Sequence, residues 1–175
     1  MVALPDTLYW AMNYVDLAEK SHNGKVMARL DRRMSPFDPK AWSVSNVVHA
    51  PEVPRALTRN TFPAADGGSP PLRWLEPNTV AVGDNIRVFT RCIIDRQVSA
   101  HIAGVLDYDP QRHQLDFIQF TSWPGGQGKF FVIEDKSQAT YWMLSNLVTN
   151  SQDLLGWGER MRETGYHGSP GNERR

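Results

Sequence analysis

Apolar residues in this chain arrive in short bursts of alternating or β-branched character, each closed off by turn-forming residues. That pattern repeats side chains with period two and stops before a helix could complete three turns, so it specifies strands. The bursts fall at Leu8–Val15, Lys25–Leu30, Trp42–Val48, Asn78–Val82, Ile86–Ile94, Ala100–Leu106, Leu115–Phe120, Phe130–Glu134 and Thr140–Asn146. Gly83-Asp84-Asn85 joins two of them as the clearest hairpin, and Asp107-Tyr-Asp-Pro-Gln111 turns between two more. The stretch from Pro51 to Pro71 holds five prolines and Asp66-Gly-Gly68. Proline brings no amide donor to a ladder, so this segment reads as a long surface connection.

Composition narrows the function classes. Nineteen basic residues balance nineteen acidic ones, leaving no excess of positive charge to displace counterions from a phosphate backbone. Nucleic acid is therefore not an expected partner. No run approaches the ~20 apolar residues of a membrane span. The single cysteine, Cys92, excludes an intrachain disulfide and a cysteine-based zinc site, and the five histidines show no ligand spacing, so neither a metal nor another cofactor is expected. Gly125-Gly-Gln-Gly128 lacks the Lys-Ser/Thr ending of a phosphate loop and reads as a turn. Met1 to Val15 shows no basic region followed by an apolar stretch, so no signal peptide is visible. A complete chain of this kind would be cytoplasmic.

Comparison within the chain suggests repetition. Thr7-Leu-Tyr-Trp-Ala-Met-Asn13 is similar to Thr140-Tyr-Trp-Met-Leu-Ser-Asn146, and Asp38-Pro39 and Asp109-Pro110 each form a turn entering a strand. Repeated four-stranded units make a β-propeller. Counted this way, a first sheet lacks its innermost strand, a second is complete from Asn78 to Phe120, and a third has two strands. Residues 1–150 form this unit, and 151–175 a tail with a short helix at Leu154–Glu163 or no order.

Three segments then carry a family resemblance. Trp74-Leu-Glu-Pro-Asn78, Trp123-Pro-Gly-Gly-Gln-Gly-Lys-Phe130 and Tyr141-Trp-Met-Leu-Ser-Asn146 resemble, in the same order, segments of the sialidase-superfamily β-propellers, in particular their exo-sialidase-like bacterial members. The likeness spans residues 8–148. The superfamily's Asp-box is absent, with Ser35-Pro-Phe-Asp-Pro-Lys-Ala-Trp42 a degenerate relative at most. The resemblance implies an all-β, partial propeller of two to three four-stranded antiparallel blades. It also implies sialidase-like glycoside hydrolase chemistry on glycans, and it allows a secreted location. Such a ring has six blades, so the chain reads as an internal piece, with exposed blade edges that favour self-association.

The resemblance also implies which residues to watch. Sialidase-like chemistry uses arginines for a sugar carboxylate, a tyrosine nucleophile activated by a glutamate, and an aspartate acid/base. Glu76 and Asn78, just before the inner strand of the second sheet, and Lys129, at the start of the next, fall at the expected rim. Glu76 is the candidate catalytic carboxylate, as a base or as an acceptor for sugar hydroxyls, against the alternative of a solvated loop residue. Arg87 and Arg91 share a strand face and could hold an anion, or form a solvated face with Arg96. Trp74 and Trp123 could stack on a sugar or simply pack. The two Tyr-Trp pairs read as packing between blades. The alternative to an enzyme is a non-catalytic module binding a glycan or a protein through Trp74, Glu76, Arg91 and Trp123.

Overall fold

The computed structural model describes residues 1–16, 21–54, 72–94, 102–122 and 129–145. These form an all-β structure of eleven strands with a single turn of 3-10 helix at Pro39–Ala41. In chain order the strands are β1 (Val2–Ala3), β2 (Thr7–Asp16), β3 (Ser21–Asp31), β4 (Trp42–Val44), β5 (Val48–His49) and β6 (Leu72–Val82). They continue with β7 (Asn85–Ile94), β8 (Ile102–Asp109), β9 (Gln114–Ser122), β10 (Phe130–Asp135) and β11 (Thr140–Ser145).

They pair antiparallel into three sheets, and among the described residues none closes on itself. The first runs β1-β2-β3-β4, with β5 also paired to β3; the second runs β6-β7-β8-β9; the third is the hairpin β10-β11. Two expectations are corrected here. The first sheet does have a strand on the near side of β2, the two-residue β1, held by the pairs Val2 with Tyr9 and Ala3 with Leu8. A strand so short carries no periodicity to read. The single strand expected at Trp42–Val48 is divided, because the ladder is half lost at Ser45: its amide still donates to the Met27 carbonyl, but the Met27 amide donates to the Ser45 hydroxyl.

Turn chemistry sets the hairpins. Gly83 takes φ 58° at the first position of the two-residue turn between β6 and β7, a conformation strained for any residue with a side chain. In the turn between β8 and β9, Asp109 accepts from the amides of Gln111 and Arg112 and from the Arg112 guanidinium. Asp38 caps the 3-10 turn by accepting from the Lys40 amide.

The second sheet is covered on both faces. Toward the first sheet it presents Ile86, Val88, Cys92, Leu106 and Tyr108, which meet Tyr9, Ala11 and Met27 in the main core. Toward the third it presents Val80, Val82 and Phe89, packed on Phe130 and Val132. Burial on two faces explains why Ile102–Leu106 is buried without interruption. Asn46, in the break between β4 and β5, ties the first two sheets together. Its amide accepts from the Leu115 N–H and donates to the Leu115 carbonyl, both at 2.8 Å, as a neighbouring strand would. The strands β1, β6 and β10, the first of each sheet, together line one cleft of about 270 Å³.

The tail at 151–175, with its expected short helix, and Trp123 lie outside the described residues.

Candidate functional site

β6 begins at Leu72, six residues earlier than the alternation suggested, so Trp74, Glu76 and Asn78 lie within the strand and not ahead of it. Trp74 pairs with Cys92 and Pro77 with Thr90, which leaves Leu75 and Glu76 opposite the single residue Arg91. This is a β-bulge, one of the few places in a strand that accepts a proline. The Leu75 carbonyl, turned out of the ladder, accepts from the Thr90 hydroxyl at 3.0 Å.

The bulge joins Glu76 to Arg91. Arg91 Nη1 donates to Glu76 Oε2 at 3.0 Å, with the arginine side chain only 7% exposed and the glutamate 51% exposed. A guanidinium withdrawn from water thus fixes a carboxylate that faces it. Pairing with a buried partner restricts the carboxylate far more than an exposed surface pair would. Neither residue sits in a solvated loop or on a solvated arginine face; packing of the sheets removes Arg91 from water.

Behind the bulge lies a group the alternation conceals. Lys25 is fully buried on β3, where it faces the second sheet beside Met27. Its Nζ lies 5.5 Å from the centre of a Trp74 ring and 3.5 Å from the Gly24 carbonyl. Burial pushes this amine down to about 7, against the opposing attraction of Cys92 and Glu76. Burial likewise pushes the Cys92 thiol up to about 12, against the Gly104 amide, Lys25 and Trp74. Sequence reasoning missed Lys25 because Lys25, Met27 and Arg29 alternate with Val26, Ala28 and Leu30, a pattern that assigns the lysine to water. Its only local signal is a charge at the edge of an apolar burst.

The remaining candidates separate. Trp74 is wholly buried, packed near Phe117 and Phe120, so of its two readings, a sugar platform or packing, the structure has packing: β6 turns it into the core. Arg87 shares a face with Arg91 but binds Asp107 across the ladder, at 2.8 and 3.0 Å, so the two arginines answer different carboxylates. Asn78 donates to the Phe130 carbonyl at 2.8 Å and ties the second sheet to the third. Lys129 stands exposed just before β10. The Tyr-Trp pairs are divided in role. Tyr9 is buried 5.5 Å from Tyr108, centre to centre, and the Tyr141 hydroxyl donates to the Ala81 carbonyl, whereas Trp10 and Trp142 are exposed. Of the seven candidates, the fold brings together Glu76 and Arg91.

Chemically, this corner offers an acceptor for O–H and N–H donors, oriented by the guanidinium behind it. Among the described residues, no three His, Cys, Asp or Glu side chains gather as a metal site would require. No protein-family model matches the chain, and neither a curated protein nor a solved structure matches it.

Proposed function

We propose that the bulge at Glu76 is a glycan-recognition site, carried on a sialidase-like sheet assembly of propeller type. The observation that carries this reading is the ion pair itself, a half-exposed carboxylate held at 3.0 Å by a guanidinium that is 7% exposed. Vicinal hydroxyls of a sugar offer two O–H donors to the two oxygens of one carboxylate. A carboxylate already fixed in place loses little conformational freedom on accepting them. The propeller part of the reading is supported by three antiparallel sheets whose first strands line one cleft.

Recognition is favoured over hydrolysis as the leading reading. Glycoside cleavage uses a second ionisable group across the scissile bond, whereas the observation behind this reading is one oriented acceptor. Titration of the folded chain with a panel of neutral and acidic oligosaccharides tests the proposal, alongside turnover of fluorogenic glycosides. Glu76→Gln keeps one acceptor oxygen and removes the charge, and should weaken binding about tenfold, or about 1.4 kcal/mol. A folded chain that binds no saccharide, or a Glu76→Gln variant that binds equally well, overturns the proposal. Turnover that disappears with Glu76→Gln replaces recognition with catalysis at the same site.

A further inference from the structure

The two ends of the sheet stack are both apolar. On the third sheet, Phe131 pairs with Leu144 and Ile133 with Trp142, so these four side chains share the face turned away from the rest of the molecule. They are 53%, 70%, 50% and 57% exposed respectively. On the first sheet the outward face carries the cross-strand rows Leu8-Leu30-Trp42 and Trp10-Ala28-Val44, of which Trp10 is 49% and Val44 54% exposed, Leu8 and Trp42 are half-buried, and Ala28 and Leu30 are buried between their neighbours. The third-sheet face ends at one charge, Asp135, which accepts from Trp142 Nε1 at 3.3 Å. Because the second sheet is covered on both sides, these two faces are the opposite ends of one stack.

We propose that the chain closes head to tail with a second copy, the outer face of the first sheet seating on the partner's third sheet, and the reverse. In this arrangement the two-fold axis would run along the cleft that the first strands of the three sheets line, with each outer face seated on the partner's complementary one. Area favours using both contacts. With about half of each large side chain exposed, the four residues on the third sheet offer on the order of 400 Å² of surface. One such contact is half of the ~800 Å² per partner that a stable interface buries, and two reach it. A two-stranded sheet also has little stability with one face wet, and the partner would supply its missing cover. An isologous pairing of third sheets would leave Trp10 and Val44 exposed and bury half the area.

Light scattering on the eluting full chain, supported by sedimentation equilibrium, tests this. The expected mass is twice the 19.8 kDa of one chain. Trp10→Glu and Leu144→Glu should each raise the dissociation constant at least about tenfold. Their equimolar mixture should associate more tightly than either variant alone, because one of its two contacts collects both substitutions and the other keeps two unaltered faces; a mixture no tighter than its components overturns the closed arrangement. Far-UV circular dichroism checks that each variant is folded. A monomer at micromolar concentration overturns the proposal, as would result if residues 146–175 covered the third sheet. So does a loss with Leu144→Glu and none with Trp10→Glu, the mark of an isologous pair. Growth into open polymers with rising concentration also overturns the closed arrangement.

Discussion

Replacing Lys25 with methionine should stabilise the protein, by an amount set by pH. Methionine fills a similar space between β3 and Trp74 without an amine to desolvate. In the folded chain burial holds the amine at about 7, while in the unfolded chain it titrates at its ordinary 10.5. At about 1.4 kcal/mol per pH unit that separation is worth about 5 kcal/mol. The unfolded chain binds the extra proton between pH 7 and 10.5, so wild-type stability rises with pH through that window. Below pH 7 both states are protonated and the whole cost is present. Lys25→Met should therefore exceed the wild type by about 5 kcal/mol at pH 6 and about 3 kcal/mol at pH 8.5. Urea unfolding of both proteins at those two values measures it, and the difference between them isolates Lys25 from every group the two proteins share. A gap that stays the same at the two pH values, or a methionine variant less stable than wild type, would refute the reasoning.

The contacts between and within the sheets give further expectations. Asn46→Ala removes both hydrogen bonds to the Leu115 backbone and should cost roughly 1–2 kcal/mol, read from the urea midpoint. At Gly104 an added methyl would stand 2.8 Å from Thr90 Cγ2 and 3.2 Å from Trp74 Cζ2, so Gly104→Ala should destabilise by roughly 1–3 kcal/mol in a thermal melt. The Cys92 thiol, pushed up to about 12, should react with a disulfide reagent at pH 8 on the order of a thousandfold more slowly than a peptide thiol. A rate within tenfold of the peptide would show that the core between β3 and β7 opens readily.

What was legible in the sequence is what neighbouring residues decide among themselves. The period-two bursts located β2, β3 and β6 to β11 to within a few residues, except at the start of β6. Gly83 and the Asp-Pro pairs marked turns because their φ preferences and side-chain acceptors act locally. Glu76 and Arg91 were legible as candidate types, though not as partners. The missed start of β6 has a definite cause: Pro77 and the two-for-one bulge break the alternation where the strand continues. β1 was invisible because two residues hold no pattern.

Stacking decided the rest. A strand's alternation distinguishes its two faces, but whether either meets water depends on what is placed against it. The second sheet covers the lysine face of β3, so Lys25 is buried where its own pattern assigns it to solvent, and Trp74 becomes core where its position left packing and a sugar platform both open. By the same logic Arg91 loses its water while Glu76 keeps half of its exposure, and the bulge supplies the register that joins them. Local chemistry thus determined that this chain makes antiparallel strands and where most of them turn. Only the packing of three sheets determined which charges are buried, which carboxylate is held, and which apolar faces remain open, because burial is a property of neighbours that are distant in the chain.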